Sequence, residues 1–257
     1  MCKLIKPFVP CRKCKAREKA GNKGPEPGYY NDFYNGYEII KECDCHKKWR
    51  KEQDLSRKLE KSGVVADYSF EDYRGSSSRE QLECLKSIAG NFSKFAYKKM
   101  IYLWGVNGTQ KTSMVQALGK ELVKQGYAVQ YTLMNTLINN LVKDFEDPNQ
   151  EIKDAFIKRC TEVDLLIIDE SFDSTKTTVY KSGYQIPFLD AFIRSRFESG
   201  KKSILFVSNK LPGEIASQGF GISLQNLIER NTQQSFLEFK DVYAKNSNVI
   251  DKMGLFK

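Results

Sequence analysis

The chain has 257 residues, 40% hydrophobic and 28% charged, and carries a formal net charge of +9. This balance excludes a wholly disordered chain, and no apolar run approaches the roughly 20 residues that cross a bilayer. The opening MCKLIKPFVPCRK has no apolar core of the secretory kind, so a cytoplasmic protein with reduced thiols and no membrane contact is expected. The length suits one mid-sized domain with a small appendage.

In chain order, residues 1–46 form a turn-rich block that sets GNKGPEPGYYNDFYNGY between two cysteine pairs. Cys11 and Cys14 stand three apart, Cys43 and Cys45 two apart, and 28 residues separate the pairs. Four thiolates around one zinc make a closed structural site. A block of about 45 residues buries little core, so a metal would supply its folding energy. His46, next to the second pair, is an alternative ligand. Residues 1–62 hold 16 Lys and Arg against 9 Asp and Glu. That basic surplus suits nucleic acid, an acidic partner or simply a solvated face. Tyr29, Tyr30, Phe33, Tyr34 and Tyr37 lie between the pairs, where they can stack on single-stranded bases or anchor a protein partner. Residues 47–63 continue as a polar helical linker that stops at Gly63.

Residues 64–257 alternate strands and helices. MIYLW (100–104), YAVQYTL (127–133), VDLLIID (163–169), SILFVSN (203–209) and SFLEFK (235–240) read as strands. Helices are expected near 111–125, 134–145, 149–160, 184–199 and 223–231, with a break at Asp147-Pro148 and stops at Gly126 and Gly200. Continuous apolar strands between helices predict an α/β fold with a parallel sheet covered by helices on both faces.

The first of these strands runs into GVNGTQKT. A glycine-rich turn between a strand and a helix aims backbone N–H groups at an anion. Lysine then reaches the terminal phosphates, and the following hydroxyl holds magnesium. Gly105, Asn107, Gly108, Thr109, Gln110, Lys111, Thr112 and Ser113 form the expected nucleotide-binding set of such a P-loop. Gln110 occupies a position where such loops carry glycine. Its side chain either strains the turn or turns its amide on a phosphate or the magnesium shell. Binding of the nucleotide is therefore better supported than its hydrolysis. Asp169, at the end of LLIID, would sit on the magnesium and Glu170 would orient or activate water. Asn209, at the carboxyl end of the next strand, either bonds the γ-phosphate or water or is a turn residue before Leu211-Pro212.

GVNGTQKT, LLIIDE, ILFVSN and LIERNTQQSFLEFK together resemble the AAA+ ATPases of the DnaC/DnaI helicase-loader and IstB group, and SGVVADYSFEDYRG (62–75) resembles the segment that precedes their core. The likeness covers about 62–240. It implies an AAA+ core that binds ATP with magnesium, self-assembles as a homo-oligomer and grips single-stranded DNA. It also implies a zinc-bearing front end that holds a replicative DNA helicase. Arg194 and Arg196 match the region that sends arginines to a neighbour's nucleotide, and Arg230 resembles the sensor arginine of the last core helix; each could equally be a solvated helix arginine. An IstB-like transposition regulator that forms ATP-dependent filaments on DNA, and a scaffold that binds ATP without cleaving it, are the competing expectations.

Overall fold

The computed structural model describes residues 7–95, 99–142, 148–179, 183–198 and 202–241. It divides into two compact units, residues 1–58 and 59–257.

The first unit contains α1 (Arg12–Lys19), a hairpin of β1 (Tyr29–Tyr34) and β2 (Tyr37–Glu42), and the first part of α2 (Asp44–Ser62). The hairpin replaces what the sequence showed only as turns. Its two-residue turn is Asn35-Gly36, both with positive φ (50° and 82°), the conformation that matches the right-handed twist of the flanking strands. Tyr34 pairs with Tyr37 and Tyr29 with Glu42. Among the described residues 7–58, Cys43 is the only buried apolar side chain. A unit of this size with so little apolar burial needs another source of stability.

The second unit is built on a five-stranded sheet. After α3 (Arg79–Gly90) and the short α4 (Phe92–Phe95) come β3 (Met100–Trp104), α5 (Lys111–Lys124), β4 (Val129–Leu133), α6 (Met134–Leu141), α7 (Gln150–Glu162), β5 (Leu165–Asp169), α8 (Ile186–Glu198), β6 (Ser203–Ser208), α9 (Ile222–Thr232) and β7 (Phe236–Glu238). The strand order is β4-β5-β6-β3-β7, and every neighbouring pair is parallel. Every residue of β5 and β6 is buried. That is the mark of strands covered on both faces and the reason their sequences run apolar without alternation. The expected strands and helices are present, most with bounds within two residues of those expected; α7 and α9 run slightly longer, and α6 ends at Leu141, with residues 143–145 of its expected span outside the described residues. Asp147 of the expected break and Gly200 of the expected stop lie outside the described residues. Among the described residues no helix is long and apolar enough to cross a membrane.

One layer of the core is aromatic. Tyr102, Phe172, Phe206 and Phe220 are fully buried and lie ring to ring, with centroids 5.2–6.4 Å apart. Each such side chain stabilises the fold by about 1.5–3 kcal/mol through burial, and Tyr102 keeps its hydroxyl satisfied by donating to the Lys210 carbonyl at 2.8 Å. On the other side of the sheet, α5 packs against α3. Gly119 of α5 admits Val64 so closely that a Cβ there would lie 2.9 Å from a Val64 methyl.

Candidate nucleotide-binding site and sulfur cluster

The turn between β3 and α5 holds its shape through specific contacts. A Cβ on Gly105 would collide with the Phe239 carbonyl oxygen, because Phe239 donates its N–H to the Trp104 carbonyl at 2.7 Å. Gly108 has φ 83°, a left-handed conformation that glycine takes without penalty. The buried Thr109 hydroxyl donates to the Val106 carbonyl at 2.9 Å.

Gln110 sits at φ 62°, ψ 14°, at the N-terminus of α5. The missing glycine is thus a backbone matter: the position needs the left-handed region, which costs a non-glycine residue roughly 1–2 kcal/mol. The glutamine accepts that conformation and its Oε1 takes the N–H of Arg74 at 3.2 Å. The segment carrying Arg74 is itself anchored. Asp241 accepts the Tyr73 hydroxyl at 2.7 Å and the N–H groups of Ser77 and Ser78 at 3.0 and 2.9 Å. Those donors, the Tyr73 hydroxyl first, hold its carboxyl well below the usual range.

Lys111 is 7% exposed. Its ammonium donates to the carbonyls of Gly105 at 2.5 Å and Val106 at 2.8 Å, and to the Thr109 hydroxyl at 3.1 Å. Burial lowers its pKa to about 8, against the opposing pull of Asp169. Thr112 donates its hydroxyl to Asp169 Oδ2 at 2.7 Å, and Tyr131 donates to the same oxygen at 2.8 Å. Burial and the Asp169 charge raise the Tyr131 phenol above its ordinary value. Asp169 Oδ1 accepts the N–H of Glu170 at 2.7 Å. A hard divalent cation takes oxygen donors, and the Thr112 hydroxyl and Asp169 carboxylate are such a pair.

These groups border one cavity of about 210 Å³, in front of the carboxyl ends of β3, β5 and β6. Asn107, Gly108, Thr109, Gln110, Lys111, Thr112, Asp169, Glu170 and Asn209 all line it. Asn209 also bonds Asp173; burial opposes ionisation there, but the Thr175 hydroxyl and N–H together with Asn209 hold that carboxyl low. Gly105 and Ser113 stand behind the lining, one shaping the turn and the other within α5.

Two site residues escaped the sequence reading. Lys176 lines the cavity and pairs with Glu170 at 2.9 Å. Tyr131 grips Asp169 from β4. Both come from segments whose reach across the site depends on the course of a loop or the order of strands, and neither carries a motif.

The arginines lie away from this cavity. Arg196 is corrected: it is a buried structural residue and not a group offered to a neighbour. It is fully buried, and its terminal nitrogens donate to the carbonyls of Cys160, Thr161, Val163 and Ser203 at 2.7–3.0 Å. It closes the end of α7 onto the start of β6. Arg194 bonds Asp190 at 2.9 Å and the Ser223 hydroxyl at 2.9 Å, linking α8 to α9. Arg230 is exposed on α9.

In the first unit, the sulfurs of Cys11, Cys14, Cys43 and Cys45 all lie within 4.8 Å of one another. Cys11–Cys14 is 3.7 Å, Cys11–Cys43 3.9 Å and Cys14–Cys45 3.5 Å. Zinc bound at about 2.3 Å in a tetrahedron sets its sulfurs about 3.8 Å apart, so the cluster fits a tetrahedral metal and is far too open for disulfides. The Cys14 N–H draws the Cys11 thiol down to about 6, while burial pushes the Cys14 thiol up. His46 is not part of the cluster. Its Nδ1 lies 2.7 Å from Glu42 Oε1, and its ring packs among Phe8, Tyr29 and Trp49.

A parallel sheet with a phosphate loop after β3, an acidic pair after β5 and a polar residue after β6 defines a P-loop nucleotide-binding protein of AAA+ type. The chain belongs to the family described as IstB-like ATP binding protein, which matches residues 37–177. Among curated proteins it is similar to the chromosomal replication initiator protein DnaA of Aliarcobacter butzleri (strain RM4018), 25% identical over 179 residues, covering 69% of this chain and 38% of that protein. DnaA of Sulfurimonas denitrificans (strain ATCC 33889 / DSM 1251) is 27% identical over 212 residues, covering 80% and 46%. The chain thus spans less than half the length of these relatives. Among solved structures, AMPPCP-bound DnaA from Aquifex aeolicus has a TM-score of 0.55 at 19% identity, covering 74% of this chain and 55% of that one. The DnaC helicase loader has a TM-score of 0.51 at 19% identity, covering 68% and 98%. At these identities the likeness is one of fold.

Proposed function

We propose that the chain is an ATP-operated loader that delivers a replicative DNA helicase to single-stranded DNA. The observation that carries the nucleotide part is the convergence of Lys111, Thr112, Asp169, Glu170 and Asn209 on one cavity. In this reading the loop amides and Lys111 receive the phosphates. Thr112 and Asp169 hold magnesium, which neutralises phosphate charge when bound. Glu170 orients the attacking water, and Asn209 bonds the γ-phosphate or that water. Arg194 and Arg230 are the cations that a homo-oligomer would bring to a neighbour's nucleotide. ATP binding assembles the subunits on DNA, and hydrolysis resets them.

Zinc closes the four-sulfur cluster in this reading, and the first unit grips the helicase. Support for a partner surface comes from Phe33, Tyr34, Tyr37 and Ile40, which are 60–76% exposed on the hairpin; aromatic side chains are enriched among the anchors of protein interfaces. The fold shared with the DnaC helicase loader, and with a DnaA solved with AMPPCP and single-stranded DNA, supports the choice of partners. The second reading, a transposition regulator, is favoured by the family match itself.

Affinity purification from native cells, using the wild type and Lys111→Ala, separates the two. Recovery of a hexameric helicase supports the loader; recovery of a transposase selects the second reading. If the wild type binds neither ATP nor single-stranded DNA in fluorescence titrations, both readings fail.

A further inference from the structure

The loop after β5 brings a second ammonium to the phosphate cavity. Lys176 lines it, and its Nζ lies 2.9 Å from Glu170 Oε1. The two side chains are 32% and 37% exposed, so the pair stands at the mouth of the site, whereas Lys111 lies deep in the turn.

This loop is held firmly. The N–H groups of Lys176 and Thr177 donate to the Asp173 carbonyl at 3.0 and 2.9 Å. The Asp173 carboxylate accepts the N–H and hydroxyl of Thr175 at 3.0 and 2.6 Å and the side chain of Asn209. Ser174 donates its hydroxyl to Gln218 at 2.8 Å, and the Thr178 N–H donates to Asn135 at 3.2 Å. Glu170 itself is fixed in the left-handed region at φ 53°, an unusual conformation for a non-glycine residue that its surroundings must impose. Both partners therefore start from rigid backbone, and only the long lysine side chain is free to choose between acceptors.

We infer that Lys176 is a second phosphate-reading cation, held on Glu170 until the terminal phosphate of a nucleoside triphosphate draws it away. The inference rests on the ATP-binding reading above. The physical reason is competition between acceptors. One carboxylate oxygen offers the ammonium a single partly solvated charge. A terminal phosphate offers more charge and three acceptor oxygens. When the ammonium transfers, the Glu170 oxygen it occupied is freed to bond water. A diphosphate lacks the terminal group and leaves the pair closed. Lys176 thus distinguishes triphosphate from diphosphate and couples that distinction to the residue that would orient water.

The test is calorimetric binding of magnesium with ADP, and of magnesium with a non-hydrolysable ATP analogue, to the full chain and to Lys176→Ala, Lys176→Gln and Lys176→Arg. The alanine and glutamine forms are expected to lose about tenfold in affinity for the triphosphate, with less than twofold change for ADP. Arginine should restore most of the difference. Glu170→Gln, which removes the competing charge, should tighten triphosphate binding only while Lys176 is present. Thermal melts of the Lys176 variants within a few degrees of wild type exclude a folding effect. If the wild type binds both nucleotides and the Lys176 variants alter ATP and ADP affinity equally or not at all, the Lys176 assignment is wrong while the ATP-binding reading stands. If the wild type binds neither nucleotide, that reading falls and takes this one with it.

Discussion

Thr112 donates its hydroxyl to Asp169 across 2.7 Å, joining the first turn of α5 to the last residue of β5. The strand that leads into α5, β3, is separated from β5 by β6 in the sheet, so only the return of α5 towards β5 brings the pair together; in the proposed function these two oxygens would hold magnesium. Thr112→Ala is expected to weaken magnesium-dependent ATP binding by about 10- to 100-fold, the value of a hydrogen bond to a charged group or its metal. It should leave magnesium-free nucleotide binding nearly unchanged. Titrations with and without magnesium check this; equal weakening in both would remove Thr112 from the metal site.

Gln110 poses opposing effects. Gln110→Gly relieves a left-handed strain of roughly 1–2 kcal/mol. It also loses the Arg74 bond, worth about 0.5–1.5 kcal/mol, and loosens the unfolded chain by roughly 0.5–1 kcal/mol. The net change in stability should stay within about 1 kcal/mol. Gln110→Val keeps the strain, adds a β-branch at positive φ and loses the Arg74 bond, so it should destabilise by about 2 kcal/mol or more. Denaturant titration of both variants decides; a valine form as stable as wild type contradicts the backbone account.

Lys111 links stability to pH. Its folded pKa is lowered from 10.5 to about 8 by burial, so between these values the unfolded chain binds more protons. Stability contributed by this group therefore rises with pH from about 8 to about 10.5, and below pH 8 the full burial penalty applies. Relative to Lys111→Met, the wild type should gain at most roughly 3 kcal/mol across that window. Phosphate binding needs the charged ammonium, so nucleotide affinity should fall above about pH 8 in the wild type. Parallel unfolding and binding curves against pH for both forms check the sign.

Zinc at the sulfur cluster would make the stability of the first unit metal-dependent. A strong zinc chelator, or Cys43→Ser, should expose residues 7–58 to protease while residues 59–241 keep ATP-dependent protection, because structural zinc supplies folding energy directly. Metal analysis of the purified chain should find about one zinc per molecule. Simultaneous loss of both units would show that the second depends on the first.

Arg196→Met should destabilise the protein by about 3–5 kcal/mol. The cause is loss of charged donors to four backbone carbonyls, three of these bonds fully buried, at the junction of α7 and β6. A group that served only a neighbouring subunit would leave the melting temperature unchanged, so a thermal melt tells the two roles apart.

The sequence by itself determined the sheet and the phosphate loop. LLII and ILFV run apolar without alternation because strands covered on both faces must, and Gly105, Lys111 and Thr112 lie within one strand-turn-helix device whose geometry is local. Asn35-Gly36 carries a hairpin signal, but the turn-rich block around it hides that signal, and the hairpin emerges only in the structure. Only the tertiary structure decided the rest. Lys176 meets Glu170 because a loop pinned by Asp173 curves back over the cavity. Tyr131 meets Asp169 because β4 and β5 lie side by side. Arg196 looked like a group that reaches outward until the carbonyls at the end of α7 closed around it. Charge and spacing are written along the chain, but whether a long polar side chain faces solvent, a ligand or its own backbone depends on segments distant in sequence that pack against it.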